Sequence, residues 1–277
     1  METEPKASLR LNAMPYDTLL DAIADPARAE IDAREIAIVT AHPDDEMLAF
    51  GAIMRRLKGV NVVLATDGSP RDMLTQRRLG FASVESYRDA RHRELTAALA
   101  LAGIPASALT RLEFPDKEAT SNLAAFAQAL RRVFAAKDIR AVLTHAYEGG
   151  HPDHDAVAAA VALATRGAAI EVVESPFYRS RDGRFAVQSF VPIDGVPVIE
   201  TRLTPDDVAH KLAMVACYPS QAGALDGFQP RVERFRHAPA YDFTRPPNGG
   251  EVDYEKSFFP WTDWAKATAH AFAPASD

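Results

Sequence analysis

Two short segments of this chain combine histidine, proline and acidic residues at nearly the same spacing. The first reads HPDDE at 42–46, and the second reads HPDHD at 151–155. Together they offer three imidazoles and several carboxylates. Two histidines and one carboxylate, with a fourth position left open for water, make up a common catalytic zinc site. The residue types therefore predict a divalent-metal site suited to hydrolytic chemistry.

A purely structural explanation competes with this interpretation. Acidic residues in the first turn of a helix complement its macrodipole, and proline is common at the first helical position. Either segment alone fits a helix start as well as a ligand set. However, three of the eight histidines lie within 145–154, and helix capping requires none of them. The presence of two such segments therefore favours the metal site.

Each segment follows an apolar strand in a repeating pattern of strands and helices. Such alternation is typical of βαβ units and a parallel sheet. The predicted strands are 36–41, 60–68, 110–116, 141–146 and 170–178, and the predicted helices between them are 47–58, 84–102, 122–137 and 154–166. Because the strands are almost continuously apolar, helices should cover both faces of the sheet. We therefore expect an α/β fold with a Rossmann-like, doubly wound, mostly parallel sheet, whose strand carboxyl ends form one ligand crevice.

The composition of the chain changes after about residue 170. Of its 19 prolines, 11 lie in 171–277. One more helix is predicted over 204–218, where a threonine N-cap precedes a proline at the first helical position. The remainder is rich in loops and short strands. We expect an N-terminal extension at 1–30, the Rossmann-like catalytic layer at 31–170, and a C-terminal part of the same domain at 171–277 that packs on this layer and shapes the cleft.

Composition narrows the classes of function. The 277 residues include 31 Lys+Arg and 38 Asp+Glu, for a net charge of −7, and no basic cluster suits nucleic acid or an anionic membrane. A single cysteine, Cys217, excludes a disulfide framework and a zinc site built from several thiolates. No run has signal-peptide or membrane-spanning character. We expect a cytoplasmic protein with a small-molecule partner and no nucleic-acid or membrane partner; homo-oligomerisation is left open.

The two motifs resemble the paired motifs of the PIG-L (LmbE-like) family of zinc-dependent de-N-acetylases. The resemblance covers 36–160, where strand order, helix spacing and both motifs agree. Towards the C-terminus, Lys211 followed by Ser220-Gln221 is similar to a third, weaker family motif. The resemblance implies removal of an N-acetyl group from an N-acetylglucosamine-type compound, free or as a glycoconjugate.

The resemblance also implies a role for each motif residue. The implied zinc ligands are His42, Asp45 and His154. Asp44 is implied as the general base, taking a proton from the water that attacks the amide carbonyl, and His151 as a charged partner that Asp153 orients. Some family members place a tyrosine where this chain has Gly149, and whether Tyr147 reaches the oxyanion instead is left open. Fe²⁺ or another divalent ion could replace zinc, because first-row metals share such sites.

Two further residues are implied in substrate contact. Residues 91–95 match the family pattern Arg-x-x-Glu-Leu, which assigns Arg91 to the substrate, and Asp116 matches an aspartate that holds sugar hydroxyls. An arginine that reaches solvent or pairs with an acid, and an ordinary turn aspartate, are the structural alternatives.

Two other functions compete with deacetylation. A sugar-nucleotide transferase could use Asp44 and Asp45 to hold a divalent metal and a diphosphate, but this leaves the histidines unexplained. A sugar- or metal-binding protein without catalysis would not need every position used in water activation. A nicotinamide site is disfavoured because the first strand ends in HPDDE rather than a glycine-rich turn. The identity of the aglycone stays open.

Overall fold

In the computed structural model, which describes residues 18–225, 227–228, 230–256 and 259–273, helices pack on both faces of a central sheet. The strands are β1 Ile31–Asp32, β2 Ile36–Thr40, β3 Leu57–Lys58, β4 Asn61–Thr66, β5 Leu109–Phe114, β6 Ala141–His145, β7 Glu171–Ser175, β8 Tyr178–Arg181, β9 Arg184–Val187, β10 Ile199–Arg202 and β11 Val232–His237. The α-helices are α1 Leu19–Ala24, α2 Asp45–Phe50, α3 Leu74–Arg78, α4 Val84–Leu101, α5 Leu123–Ala136, α6 Pro152–Thr165, α7 Pro205–Val215, α8 Ala222–Leu225 and α9 Trp261–Ala271.

The central sheet has the order β10-β11-β7-β6-β2-β4-β5. The five strands from β7 to β5 are parallel, β11 pairs antiparallel with β7, and β10 pairs antiparallel with β11. The chain winds outward from β2 to β4 and β5, then crosses back to β6 and β7 on the other side. Strand order therefore reverses between β2 and β6, which is where open α/β sheets bind their ligands. The predicted α/β class with a mostly parallel sheet is confirmed.

Alternate residues of each central strand pack into two separate cores. In β2, Ile36 and Ile38 face a core that includes side chains of α1, α2, α4 and α7. Ala37 and Val39 face the opposite core, built with α5, α6 and α9. Because side chains alternate along a strand, burial on both sides requires the continuous apolar runs seen in the sequence.

The prediction of a continuous helix over 47–58 is wrong. Helix α2 ends at Phe50, a 3-10 turn covers Ile53–Arg55, and β3 follows. The backbone amides of Ala52 and Ile53 donate to the carboxylate of Glu233, at 2.8 and 3.1 Å. These donors are thereby withdrawn from the helical hydrogen-bond ladder. A carboxylate far away in the sequence therefore determines where the helix that carries the first motif stops.

Glu233 is held in turn by a buried ion pair. Lys211 Nζ lies 2.7 Å from Glu233 Oε1 and donates to the carbonyl of Leu48 at 2.8 Å. The Lys211 and Glu233 side chains are 2% and 1% exposed. Because removing one partner of such a pair leaves a buried charge uncompensated, α2, α7 and β11 are firmly joined at this point.

The parts of the chain outside 31–170 pack against the sheet. Residues 1–17 of the expected N-terminal extension lie outside the described residues, whereas α1 is buried and its first amides donate to Glu171. Near the C-terminus α9 inserts Trp264 into the core, where its indole donates to the carbonyl of Phe243 at 2.9 Å. In the described part of the chain, every helix is too short or too polar to span a membrane.

Candidate metal centre and cleft

The two histidine motifs meet at the carboxyl edge of the sheet. Strands β2 and β6 are parallel neighbours with Ile38 opposite Leu143, so the segments that follow them emerge side by side. His42 Nδ1 and His154 Nε2 lie 3.3 Å apart although 112 positions separate them in sequence. The topology therefore brings both predicted histidine ligands to one point.

Asp45 completes a triangle with these two histidines. Its Oδ2 lies 3.3 Å from His42 Nδ1, and its Oδ1 lies 3.3 Å from His154 Nε2. Ligand atoms placed tetrahedrally about 2.0–2.1 Å from a zinc ion are about 3.3–3.4 Å from one another. The two histidine nitrogens have this spacing, and Asp45 places one carboxylate oxygen at the same distance from each of them.

Carboxylates also surround the other side of the His42 ring. Asp153 Oδ2 lies 3.2 Å from His42 Nε2, and Asp116 Oδ1 lies 3.6 Å from it. Burial disfavours the charged ring, yet Asp116, Asp153 and Asp45 together raise the pKa of His42 well above its usual value. The site therefore stabilises positive charge, as a cation-binding cluster must.

The carboxylate of Asp153, which was predicted to orient His151, lies against His42. Its carboxylate accepts the backbone amides of Lys117 at 2.6 Å and Ala119 at 3.1 Å, and turns towards His42. A histidine ligand commonly donates its second ring N–H to a carboxylate, which sets the tautomer and the direction of the ring. The geometry thus makes Asp153 a partner of the predicted ligand His42.

The Asp153→Asn variant should bind zinc about 10- to 100-fold more weakly than the original chain, the usual cost of losing such a ligand partner. The neutral amide no longer stabilises positive charge on His42. Competition with a chromophoric chelator measures the affinity. Asp242→Asn, at an exposed acidic residue outside the cleft, is the matched control and should change nothing. Equal affinity of the Asp153→Asn variant and the original chain would show that this contact does not support the ligand.

His151 is the N-cap of α6. Its Nδ1 accepts the backbone amide of Asp153 at 3.2 Å. Burial, with His42 and His154 nearby, lowers the pKa of His151 well below its usual value. The ring is therefore neutral, in contrast to the charged partner expected from the resemblance, and its proton belongs on Nε2 because Nδ1 acts as an acceptor.

Asp44 occupies a buried and conformationally strained position beside the ligands. Its φ angle is +118°, in a region that non-glycine residues rarely adopt. Burial raises the pKa of Asp44 to about 8, Asp45 and Glu46 add to the shift, and Arg91 opposes it. A cation at the neighbouring cluster would also oppose the shift through its charge. A carboxyl group tuned in this way matches what a general base requires.

Arg91 lies beside this aspartate, and both residues line a cleft next to the ligands. Its Nη2 is 3.2 Å from Asp44 Oδ2 and also donates to the carbonyl of Pro43, while Nη1 donates to the carbonyl of Gly68 at 3.3 Å. The side chain is almost fully buried. The sequence left open whether Arg91 contacts substrate or pairs with an acid. In the structure it lines the cleft and also pairs with an acid, Asp44.

His145 lies against Asp45 and His154, on the buried side of the cluster. Burial lowers the pKa of His145 to about 4, so the ring is neutral. Its Nε2 accepts the backbone amide of Ala41 at 3.0 Å and lies 3.5 Å from Asp45 Oδ2, and its ring stacks on His154 with centroids 4.3 Å apart. The Nε2 lone pair of His145 accepts from the backbone, and His145 also lies close enough to Asp45 and His154 to form a group that could hold a metal ion.

The cluster opens into a cleft of about 430 Å³. Seven of the eight residues predicted for the site line it: His42, Asp44, Asp45, Arg91, Asp116, His151 and His154. Asp153 lies behind His42. Tyr178, Phe185 and Phe228, which come from the C-terminal part of the chain, form an aromatic wall, with the Tyr178 ring centroid 5.2 Å from that of Phe185 and 6.2 Å from that of Phe228. The cleft therefore combines charged and aromatic side chains, which suits a sugar ring.

Tyr147 lies away from this cleft. Its hydroxyl donates to the carbonyl of Arg245 at 2.9 Å, and its ring packs against Trp264 in the core. Tyr178 instead brings a phenol to the cleft, with its ring centroid 5.3 Å from that of His154. Gly150 permits this approach, since a Cβ there would lie 1.9 Å from the carbonyl oxygen of Tyr178.

The same layer is found in known proteins. Residues 37–165 match the family model described as PIG-L: GlcNAc-PI de-N-acetylase. We call residues 37–165 the PIG-L region. Both histidine motifs lie within the PIG-L region, whereas the aromatic wall of the cleft lies beyond it. No curated protein matches the chain significantly.

Solved structures of deacetylases resemble the chain in fold. The A40926 pseudoaglycone deacetylase Dbv21 is 21% identical with a TM-score of 0.58, over 74% of this chain and 97% of that one. The zinc-inhibited form of teicoplanin deacetylase Orf2 is 18% identical with a TM-score of 0.59, over 75% and 98%. The N,N'-diacetylchitobiose deacetylase of Pyrococcus horikoshii is 17% identical with a TM-score of 0.51, over 81% and 94%. The PIG-L region thus lies in a fold shared with these proteins.

Sequence reasoning missed several residues that hold the PIG-L motifs in place. Tyr87 belongs to no sequence motif, but it lies one helical turn before Arg91. Its hydroxyl oxygen accepts a hydrogen bond from Arg91 Nη1 at 3.4 Å. The i,i+4 spacing was a usable signal. Tyr178, Phe185 and Phe228 carried no such signal, because their place in the cleft depends on how distant segments pack.

Proposed function

We propose that this protein is a zinc-dependent hydrolase that removes the N-acetyl group from an N-acetylglucosamine-type amino-sugar compound. The observation that carries the proposal is the close grouping of His42, Asp45 and His154 beside the buried carboxyl group of Asp44. The two histidine nitrogens are 3.3 Å apart, and a different Asp45 oxygen lies 3.3 Å from each. The match of residues 37–165 to a family model described by its de-N-acetylase activity supports the proposal, as does the likeness in fold to deacetylases.

The proposed metal ligands are His42, Asp45 and His154. When bound, the ion supplies a Lewis acid that polarises the amide carbonyl and makes a water molecule more acidic. Asp153 holds the direction of the His42 ring through its contact with Nε2. Zinc is our proposal for the ion, and Fe²⁺ or another divalent metal would suit the same donors.

Asp44 is the proposed general base. It takes the proton from the attacking water and passes it to the nitrogen of the departing amine, so the carboxyl group serves twice in one turnover. Arg91 points a guanidinium nitrogen at Asp44 Oδ2 from 3.2 Å, which limits the orientations available to the carboxylate. The base and the predicted ligand Asp45 are consecutive residues, and this adjacency keeps their separation constant.

His151 is proposed to donate a hydrogen bond to the oxyanion. With Nδ1 committed to the backbone of α6, the neutral ring can donate only from Nε2. One ring nitrogen from each of His42, His151 and His154 lies within 4.8 Å of the other two. A neutral donor in a water-poor site still stabilises negative charge that develops on the carbonyl oxygen.

The aromatic and acidic walls are proposed to hold the sugar. Asp116, whose carboxylate lines the cleft, would accept hydrogen bonds from sugar hydroxyls, and Arg91 would border the acetamido group. Tyr178, Phe185 and Phe228 would pack against the apolar face of the ring. Residues 171–277 would then contribute substrate recognition to chemistry carried by 31–170.

A screen for acetate release tests this function. The purified chain is incubated with N-acetylated amino sugars, both free and conjugated, with and without a chelator, and acetate is quantified. We expect release from at least one N-acetylglucosamine compound, loss of release with the chelator, and recovery when zinc is added back. Release that persists after complete metal removal would contradict the mechanism, and release from no amino sugar would contradict the function.

A further inference from the structure

A short segment outside the PIG-L region contacts the catalytic layer at three places. Residues 218–221 follow α7 and include a 3-10 turn, Pro219–Gln221. We call them the supporting segment. They contain Ser220 and Gln221, which matched a weak motif in the sequence but have no role in the chemistry proposed above.

Ser220 anchors the supporting segment to α4. Its backbone amide donates to Glu94 Oε1 at 3.0 Å, and its hydroxyl donates to Glu94 Oε2 at 2.6 Å. Glu94 is three residues after Arg91 on the same helix, so the anchor lies about one turn away from the arginine that contacts Asp44. The segment is thereby fixed to the element that bears Arg91.

One arm of hydrogen bonds runs from this segment to the backbone of Asp44. The hydroxyl of Tyr218 donates to Glu46 Oε1, and the backbone amide of Asp44 donates to Glu46 Oε2 at 3.0 Å. Tyr218 and Glu46 are 1% and 0% exposed. A residue held at a φ of +118° remains there only when its surroundings determine it, and this arm is such a restraint.

A second arm runs to the side chain of Asp44. Gln221 Nε2 donates to the Tyr87 hydroxyl at 2.7 Å, and the same oxygen accepts from Arg91 Nη1 at 3.4 Å. Arg91 Nη2 then lies 3.2 Å from Asp44 Oδ2. The supporting segment therefore reaches Asp44 twice, once through its amide and once through its carboxylate.

We propose that the supporting segment positions Asp44 for proton transfer through these two arms, with Tyr218 and Gln221 as the positioning residues. The inference rests on the proposed function, in which Asp44 is the base. It assigns part of the catalytic geometry to a stretch of chain beyond residue 165. Displacing a reacting group by about 1 Å can cost on the order of 100-fold in rate, so restraints on a base have a measurable effect.

Two substitutions remove the arms with little change in volume. Tyr218→Phe deletes one hydroxyl, and Gln221→Met deletes the amide while keeping the chain length. Each should lower kcat for acetate release about 10-fold, and both together more, with KM and zinc content within about 2-fold of the original chain. Tyr241→Phe is the control, because it removes a partly buried hydrogen bond from a tyrosine to a carboxylate, that of Glu174, outside the cleft, and kcat should not change.

The Asp44→Asn background separates positioning from general support of the fold. If the arms act through Asp44, then adding Tyr218→Phe or Gln221→Met to Asp44→Asn should cost no further rate. A further loss of the same size in that background, or an unchanged kcat in both single variants, would overturn the proposal. Should Tyr218→Phe fail to fold, Gln221→Met alone decides, since Gln221 is only partly buried.

A crystal structure of the double variant gives an answer independent of the reaction. We expect the Asp44 carboxylate to leave its place 3.2 Å from Arg91, or its φ to move towards the ordinary helical region. An Asp44 that stays in place with both arms removed overturns the positioning role. Absence of acetate release by the original chain would instead count against the proposed function, so the two failures are distinguishable.

Discussion

Replacing Asp44 with asparagine is expected to lower turnover by about 100- to 10,000-fold while zinc binding remains unchanged, because a general base contributes on this scale. Asparagine has the same shape and cannot accept the proton of the attacking water. The three proposed ligands stay intact, so the ion should be held as before. Rates of acetate release and the zinc content of the purified variant, determined by atomic emission, measure the two effects separately.

The choice of asparagine follows from the backbone. At a φ of +118° asparagine and aspartate are among the better tolerated side chains, whereas alanine is strained there. Arg91 keeps its bonds to the carbonyls of Pro43 and Gly68 when the negative charge is removed. Asp44→Ala should likewise keep the metal and lose the rate, but with a loss of stability that urea unfolding would detect. Metal-dependent turnover retained in the Asp44→Asn variant would rule out Asp44 as the base.

Replacing His154 with alanine should remove both the metal and the activity. The variant leaves two of the three donors, and its zinc affinity should fall by more than the roughly 10- to 100-fold expected for loss of the Asp153 contact. Acetate release should become undetectable at stoichiometric zinc. Equilibrium dialysis against a zinc buffer measures the affinity, and the Asp44→Asn variant serves as the matched control that lacks activity but retains the ion.

A different result would change the ligand assignment. If the His154→Ala variant bound zinc as tightly as the original chain, the ion would lie elsewhere in the histidine cluster, and His151 or His145 would be the donor to examine. Recovery of part of the rate at high zinc would agree with the assignment, because the site would be weakened without any change to Asp44.

The central layer could be predicted from the sequence because its determinants are local. Runs such as 36–41 and 141–146 are continuously apolar, as parallel strands buried on both faces must be, and they became β2 and β6. The placement of both motifs at the carboxyl edge followed from strand direction alone. Because the chain has a single cysteine, the candidate metal ligands were expected to be histidine and acidic side chains.

Other features depended on partners far away in the chain. Helix α2 stops at Phe50 because the carboxylate of Glu233, some 180 positions later, accepts the next amides. The Asp153 carboxylate contacts His42, more than 100 positions earlier, and accepts two backbone amides from the loop after β5. No periodicity in the sequence records either contact.

By itself, the sequence determined which strands form the sheet, where the two histidine motifs lie on it, and which residue types could hold a cation. These depend on side-chain alternation and on spacing within one strand or helix turn. Only the tertiary structure decided which carboxylate supports His42, that the His151 ring is neutral, and that residues 218–221 contact the surroundings of Asp44. Those properties depend on burial and on hydrogen bonds between segments about 30 to 180 positions apart, which arise only when the chain has packed.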